Sequence, residues 1–244
     1  MKARKRIRHI VIPDCQVKPG EDMSHLDWVG NYIAAKRPDV VVNLGDFADM
    51  PSMSGYDVGK AAAEGQRYAA DVAAVRAADK RLTRPWRKLD CRRELLLGNH
   101  ENRINREREA QPRFRDTLSV KDLGFEANGW RVRPFLEVVT IDGIDYSHYF
   151  TSGEMGRPVS SAAALLRVRH RSAVMGHVQR RDVAIHRETQ HTAVFAGICY
   201  RSPQAYLGPQ GNVQRPGIWM FNEVRDGVFD PMFVSLEFLA EEYS

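Results

Sequence analysis

The first hundred residues alternate between two patterns of apolar and polar positions. Ile7–Pro13, Asp39–Leu44 and Arg93–Leu97 are short and mostly apolar, the pattern of strands buried on both faces. Between the first two, Ser24 to about Arg37 sets Leu26, Trp28, Val29, Tyr32 and Ile33 at helical spacing and closes at Pro38-Asp39. The Ala-rich stretch from Lys60 to about Leu82 predicts a second helix. Strand, helix, strand, helix, strand implies parallel pairing with right-handed crossovers.

The second half changes character. Phe135–Ile141 and Ile144–His148 flank Asp142-Gly143, a hairpin signal. Pro158–His170 predicts a helix and Ala173–Met175 a short strand. Val183–His186, Thr192–Ile198, Ile218–Val224 and Val228–Leu236 alternate with turns, including Asp226-Gly227, and predict a mostly antiparallel sheet. Residues 208–217, rich in Gly, Pro and Gln, predict a surface loop. No linker interrupts the chain, so a single domain over 1–244 is expected.

Composition narrows the class. With 43% hydrophobic and 27% charged residues in 244, the chain has enough apolar material for a core, and collagen, coiled coil and wholesale disorder are excluded. No apolar run approaches the roughly 18 residues of a membrane span, and no signal-peptide apolar stretch follows the basic start, so no membrane partner is expected. Cys15, Cys91 and Cys199 are scattered without a CxxC pair, which argues against a cysteine-zinc site and for a reducing cytoplasm. The net charge of +5 is uneven: residues 1–8 carry +5, residues 76–115 carry +7, and the other 196 sum to −7. The basic stretch 76–115 reads either as a solvated helix face with a surface loop or as a phosphate-attracting rim.

Five predicted strands end in residues able to bind metal. The ends are Asp14-Cys15-Gln16, Gly45-Asp46-Phe47-Ala48-Asp49, Gly98-Asn99-His100-Glu101, Ser147-His148 and Gly176-His177-Val178-Gln179. A lone Asp after a strand is ordinarily a helix cap and a lone Gly-His a turn, but five in series at strand ends, where open α/β sheets bind ligands, call for another reason. His9, His25, His170, His186 and His191 fit none of these positions and are expected to be structural or exposed. Trp28, Trp86, Trp130 and Trp219 are expected in the core rather than as base-stacking platforms.

This series resembles the calcineurin-like metallophosphoesterases, whose pattern runs D-x-H, G-D-x-x-D, G-N-H-[ED], H, G-H-x-H; the match is in order over residues 14–179. The chain looks most like the small phosphoesterases of that family encoded in bacteriophage genomes, which open with a similar Pro-Asp-x-Gln-Val-Lys-Pro-Gly segment. The resemblance implies an α/β fold, a four-layer αββα sandwich of two mixed sheets flanked by helices. The first sheet would be mainly parallel and the second more antiparallel. It also implies a host-cell cytoplasmic location.

The resemblance further implies two divalent cations, Mn²⁺ before Fe, Zn²⁺, Ni²⁺, Co²⁺ or Mg²⁺. One site would be Asp46, Asn99, His148 and His177; the other Asp14, the bridging Asp46, and Gln16 and Gln179 where the family has histidines. A carboxylate shared by two cations offsets their repulsion and holds them about 3.5–4 Å apart. Amide oxygens are weaker and harder donors than imidazole, so the Gln-containing site is expected to bind more weakly and to favour Mn²⁺ or Mg²⁺ over Zn²⁺. Hydroxide held between the cations would attack phosphorus, with His100 as general acid oriented by Asp49. Arg103, and after it Arg106, could reach a phosphate oxygen or simply charge the surface of a helix starting near Asn102. Tyr149 and Phe150 follow His148 and could line the pocket.

Three functions follow as expectations. One is a phosphodiesterase or phosphomonoesterase acting on a small phosphate ester or a cyclic nucleotide. The second is a DNA exonuclease or endonuclease of the same superfamily, with nucleic acid as partner. The third is a catalytically weak metal-binding interaction module.

Overall fold

The three N-terminal apolar runs form β1 (Ile7–Ile12), β2 (Val40–Asn43) and β3 (Arg92–Leu96), which pair in parallel with His9 opposite Val40 and Val40 opposite Arg92. The structure is a computed structural model that describes residues 6–55, 59–201 and 213–244. The first crossover is α1 (His25–Lys36), which turns Leu26, Val29, Tyr32 and Ile33 inward and stops at a left-handed Arg37. The second is α2 (Tyr68–Thr83), which begins later than its alanines suggest because Ala61–Ala63 form a separate 3-10 turn.

A six-stranded sheet has the order β13-β12-β1-β2-β3-β4, where β4 is Arg131–Arg133, β12 is Gly217–Arg225 and β13 is Val228–Ser235. A five-stranded sheet has the order β10-β11-β9-β6-β5. Its strands are β5 (Val139–Ile141), β6 (Ile144–Ser147), β9 (Ala173–Met175), β10 (Arg181–Ile185) and β11 (Thr192–Ala196). Between β6 and β9 lie the short pair β7 (Thr151–Ser152) and β8 (Arg157–Pro158) and then α4 (Ala162–Arg169). The helix α3 (Asn102–Ala110) follows β3, and α5 (Leu236–Tyr243) ends the chain.

This arrangement corrects the expected late sheet. β12 does not join the second sheet; it pairs antiparallel with the free edge of β1, Ile10 opposite Met220, and carries β13 with it. The second sheet is evenly mixed, because β6, β9 and β11 run parallel to one another and only β5 and β10 are antiparallel to their neighbours. Half of the expected loop at 208–217 lies outside the described residues, as do residues 1–5 of the basic start; 213–216 carry no helix or strand and Gly217 begins β12.

Three apolar clusters hold these elements. Val11, Val42 and Leu44 from the first sheet meet Ile144, Tyr146, Val174 and Val194 from the second in one buried layer. The outer face of the first sheet is covered by α1, α2 and α5, with Ile10, Ile33, Leu82 and Leu239 in one buried cluster. The outer face of the second is covered by α4 through Ala162 and Leu165. Trp86, Trp130 and Trp219 are core, Trp86 and Trp130 edge-to-face at 5.7 Å, while Trp28 is half-buried beneath Arg201. His9 is buried, with Nδ1 2.8 Å from the Tyr146 hydroxyl and Nε2 3.0 Å from Asp142; His25 is buried too.

Candidate metal centre

Parallel β1, β2 and β3 end side by side, and parallel β6 and β9 end against them. Asp14 follows β1, Asp46 follows β2, Asn99 and His100 follow β3, His148 follows β6 and His177 follows β9. Backbone bonds knit these ends together: the Asp46 carbonyl accepts from Cys15 and Gln16 at 3.0 and 2.9 Å, and the His148 carbonyl accepts from Gly176 at 3.0 Å.

Two glycines are required by close approach. A β-carbon on Gly98 would overlap Asp46 Oδ1, and one on Gly176 would lie 2.5 Å from Asp14 Oδ1. Four residues of the cluster hold left-handed backbone without being glycine: Gln16 (φ +50°), Asp46 (+47°), His177 (+63°) and Gln179 (+59°). Each costs about 1–2 kcal/mol, and such strain concentrates where side chains are aimed for function.

The Nδ1–H of His148 donates to the Leu44 carbonyl at 2.8 Å, because a carbonyl can only accept. Its Nε2 therefore faces Asp46 Oδ2 at 3.4 Å and Asn99 Oδ1 at 3.0 Å, both acceptors. His177 Nδ1 lies 2.8 Å from the same Asn99 oxygen. Asp46, His148 and His177 each place a ligand atom within 4.8 Å of the others. Acceptors converging in a buried space need a positive charge between them, a proton or a metal ion. Without a metal the proton serves: burial would lower the His148 pKa, but Asp46 outweighs it and pushes the group up to about 9. Burial, with the charge of His148, pushes His177 down to about 4.

The second carboxylate is left short of partners. Asp14 is fully buried; its Oδ1 accepts the His177 backbone N–H at 3.1 Å, and its Oδ2 has no partner among the described residues. Burial, then the charge of Asp46, pushes it up to about 7. Burial would raise Asp46 as well, but His148 and His100 hold it far below the ordinary carboxylate range. Gln16 is buried with Nε2 3.5 Å from Asp46 Oδ2 and with Oε1 unpartnered. Gln179 places Oε1 3.2 Å from the Tyr200 hydroxyl. An orphaned carboxylate oxygen, an orphaned amide oxygen and an oxygen-and-imidazole cluster suit divalent cations, so the residues fit such ions.

Beside this cluster, His100 is held by its Nδ1 to Asp49 Oδ1 at 2.9 Å and to the Asp49 carbonyl at 2.8 Å. Its Nε2 is 3.8 Å from Asp46 Oδ2. Burial would lower its pKa, but Asp46 and the bond to Asp49 outweigh burial and Arg103, leaving it raised. Arg103 differs from the surface role open to it in the sequence. Its Nη1 donates to the carbonyls of Asp49 and Met50 at 2.8 and 3.2 Å, which brings Nη2 to 3.3 Å from His100 Nε2. Phe135 and Tyr149, edge-to-face at 5.7 Å, wall the side at His148 and His177, with Tyr149 4.6 Å from the His177 ring.

Glu101 ends one of the five motif segments without a place in either expected ligand set. It is buried, and its carboxylate accepts the backbone N–H of Asp46, Gly98 and Ala48 at 3.0, 2.8 and 2.8 Å, tying two motif loops together. Lys18, also passed over, reaches Asp49 Oδ2 at 3.7 Å. In the basic stretch 76–115, four arginines are held by partners of their own. Arg93 donates to the carbonyls of Trp86, Arg87, Leu89 and Asn128 and lies over the Trp86 ring, Arg92 pairs with Glu94, and Arg81 and Arg84 pair with Asp27.

No protein-family model matches the chain, and no curated protein matches it. Among solved structures, one crystal structure is similar at 11% identity over 95% of this chain and 100% of its own, with a TM-score of 0.47. Among the described residues no helix is long and apolar enough to cross a membrane.

Proposed function

We propose that the chain is a metal-dependent phosphoesterase of the calcineurin-like type, hydrolysing phosphodiester bonds in small substrates. The observation that carries this reading is the convergence of Asp46, Asn99, His148 and His177 on one buried space, with the orphaned Asp14 Oδ2 beside it. The four-layer sandwich of that superfamily goes with the reading, supported by the apolar layer between the two sheets and the helices on both outer faces.

Asp46, Asn99, His148 and His177 would hold one cation; Asp14, Asp46, Gln16 and Gln179 the other. The chemistry that two divalent cations supply in such a site is a nucleophilic hydroxide at neutral pH and neutralisation of phosphoryl charge. His100 delivers a proton from Nε2 to the leaving oxygen. Asp49 keeps Nδ1–H in place and stabilises the charged ring that does so. Arg103 fixes the loop that carries Asp49, and its Nη2–H donates to His100 Nε2 once that nitrogen has given up its proton. Glu101 holds the backbone of Asp46 so that its carboxylate keeps its aim toward the cluster.

The test is a panel with Mn²⁺: bis-p-nitrophenyl phosphate, p-nitrophenyl phosphate, 2′,3′-cyclic nucleotides and linear DNA. Hydrolysis of the small diesters is expected. DNA degradation with a steep salt dependence would instead support the nuclease reading, and metal binding without any hydrolysis the interaction module.

A further inference from the structure

At the far end of β9 from His177, a cleft of about 820 Å³ opens between α4 and the β10–β11 hairpin. Arg167, Arg171 and Arg187 line it together with His170, His186 and His191, and no acidic side chain does so among the described residues. Arg171 leans on Asp145 at 3.4 Å, but Arg167 and Arg187 have no carboxylate partner among the described residues. The floor is aliphatic, formed by Leu166 and by Ile185, which is 57% exposed.

A neighbouring hollow is lined by Arg6, Arg225, Glu223 and Asp226. It shares His170, Arg171 and His191, but its own arginines are neutralised nearby: Arg6 pairs with Glu223 at 3.1 Å and Arg225 with Asp226 at 3.6 Å. Charge is balanced in one cleft and unbalanced in the other. Unpaired guanidinium groups present planar forks that match phosphate oxygens, and the cleft's volume falls in the range of small-molecule sites, about 300–1,000 Å³.

We propose that this cleft binds a phosphate-bearing ligand of nucleotide size, its phosphates held by Arg167 and Arg187 and its flat body resting on Leu166 and Ile185. The site is separate from the metal centre and does not depend on the reading of that centre.

Calorimetric titration with ADP and with pyrophosphate, in excess chelator and at low salt, tests it. The expected result is ADP binding more tightly than pyrophosphate. The double variant Arg167→Glu/Arg187→Glu should bind ADP about tenfold or more weakly while melting as the parent does. Arg6→Glu in the neighbouring hollow should leave ADP binding unchanged. No binding of either probe at millimolar concentration, or equal ADP affinity in the parent and the double variant, would overturn the proposal. Equal affinity for ADP and pyrophosphate would overturn the part assigned to the aliphatic floor.

Discussion

Glu101 accepts the backbone N–H of Asp46 at 3.0 Å, so a buried carboxylate with no free oxygen sets the conformation of the residue at the middle of the candidate metal centre. The same carboxylate takes the N–H groups of Gly98 and Ala48. Removing it strands three buried donors, each costing about 1–3 kcal/mol. Glu101→Ala is therefore expected to lower the unfolding midpoint and to weaken Mn²⁺ binding together. A variant that melts and binds Mn²⁺ as the parent does would remove Glu101 from the account.

His100 is held to Asp49 through Nδ1, which leaves Nε2 for the leaving group. His100→Ala should cost about 10²–10⁴ in rate on alkyl phosphodiesters, whose leaving oxygen needs a proton. It should cost far less on bis-p-nitrophenyl phosphate. Steady-state rates on the two substrates check this, and equal losses would contradict the acid role.

Gln16 Oε1 is buried without a partner beside Asp46. Gln16→His exchanges a neutral amide for a stronger, softer donor. Zn²⁺ affinity measured by competition with a chelating dye should tighten by about tenfold, close to 1.4 kcal/mol. Unchanged affinity and stoichiometry would place the side chain outside the metal's reach.

Asp79 offers a pH test away from the centre. It is buried against the Trp130 indole N–H at 2.8 Å and the Asn128 amide at 2.7 Å, and burial pushes its pKa from 3.8 up to about 6 despite both bonds. The folded state then keeps a proton that the unfolded state releases. Stability contributed by the protonated group is full below the unfolded pKa and is lost as pH rises from about 4 to about 6, amounting to about 2–3 kcal/mol. In Asp79→Asn that slope should flatten, read from unfolding midpoints at several pH values. A parent-like slope in the variant would assign the pH dependence to other groups.

The buried strands and the strand-end residues were legible because a parallel strand covered on both faces must be apolar until it leaves the sheet, and the polar residue that follows stands out. β1, β2 and β3 and the residues after them follow from that pattern. The placing of β12 was not legible, since the edge of β1 that accepts it lies more than 200 residues away and periodicity carries no partner information. α5 was hidden because Ser235, its N-cap, closes an apolar strand and reads as its continuation. Glu101 was hidden for a different reason. Its partners are backbone N–H groups, which every residue carries, so nothing in the spelling of Gly-Asn-His-Glu distinguishes a tie between loops from a charge at a helix start. The place of Arg93 was hidden in the same way, because the carbonyls that bind it leave no mark in sequence.

The most direct measurement is the Mn²⁺-dependent rate of bis-p-nitrophenyl phosphate hydrolysis by the parent chain and by Asp46→Ala. Asp46 faces His148, His100 and Gln16 through one carboxylate oxygen, so every step assigned to the centre passes through it. The account predicts a rate that rises with Mn²⁺, disappears with chelator and falls to background in the variant. A parent chain inert at saturating Mn²⁺, or an Asp46→Ala variant that keeps the parent's rate, would contradict it.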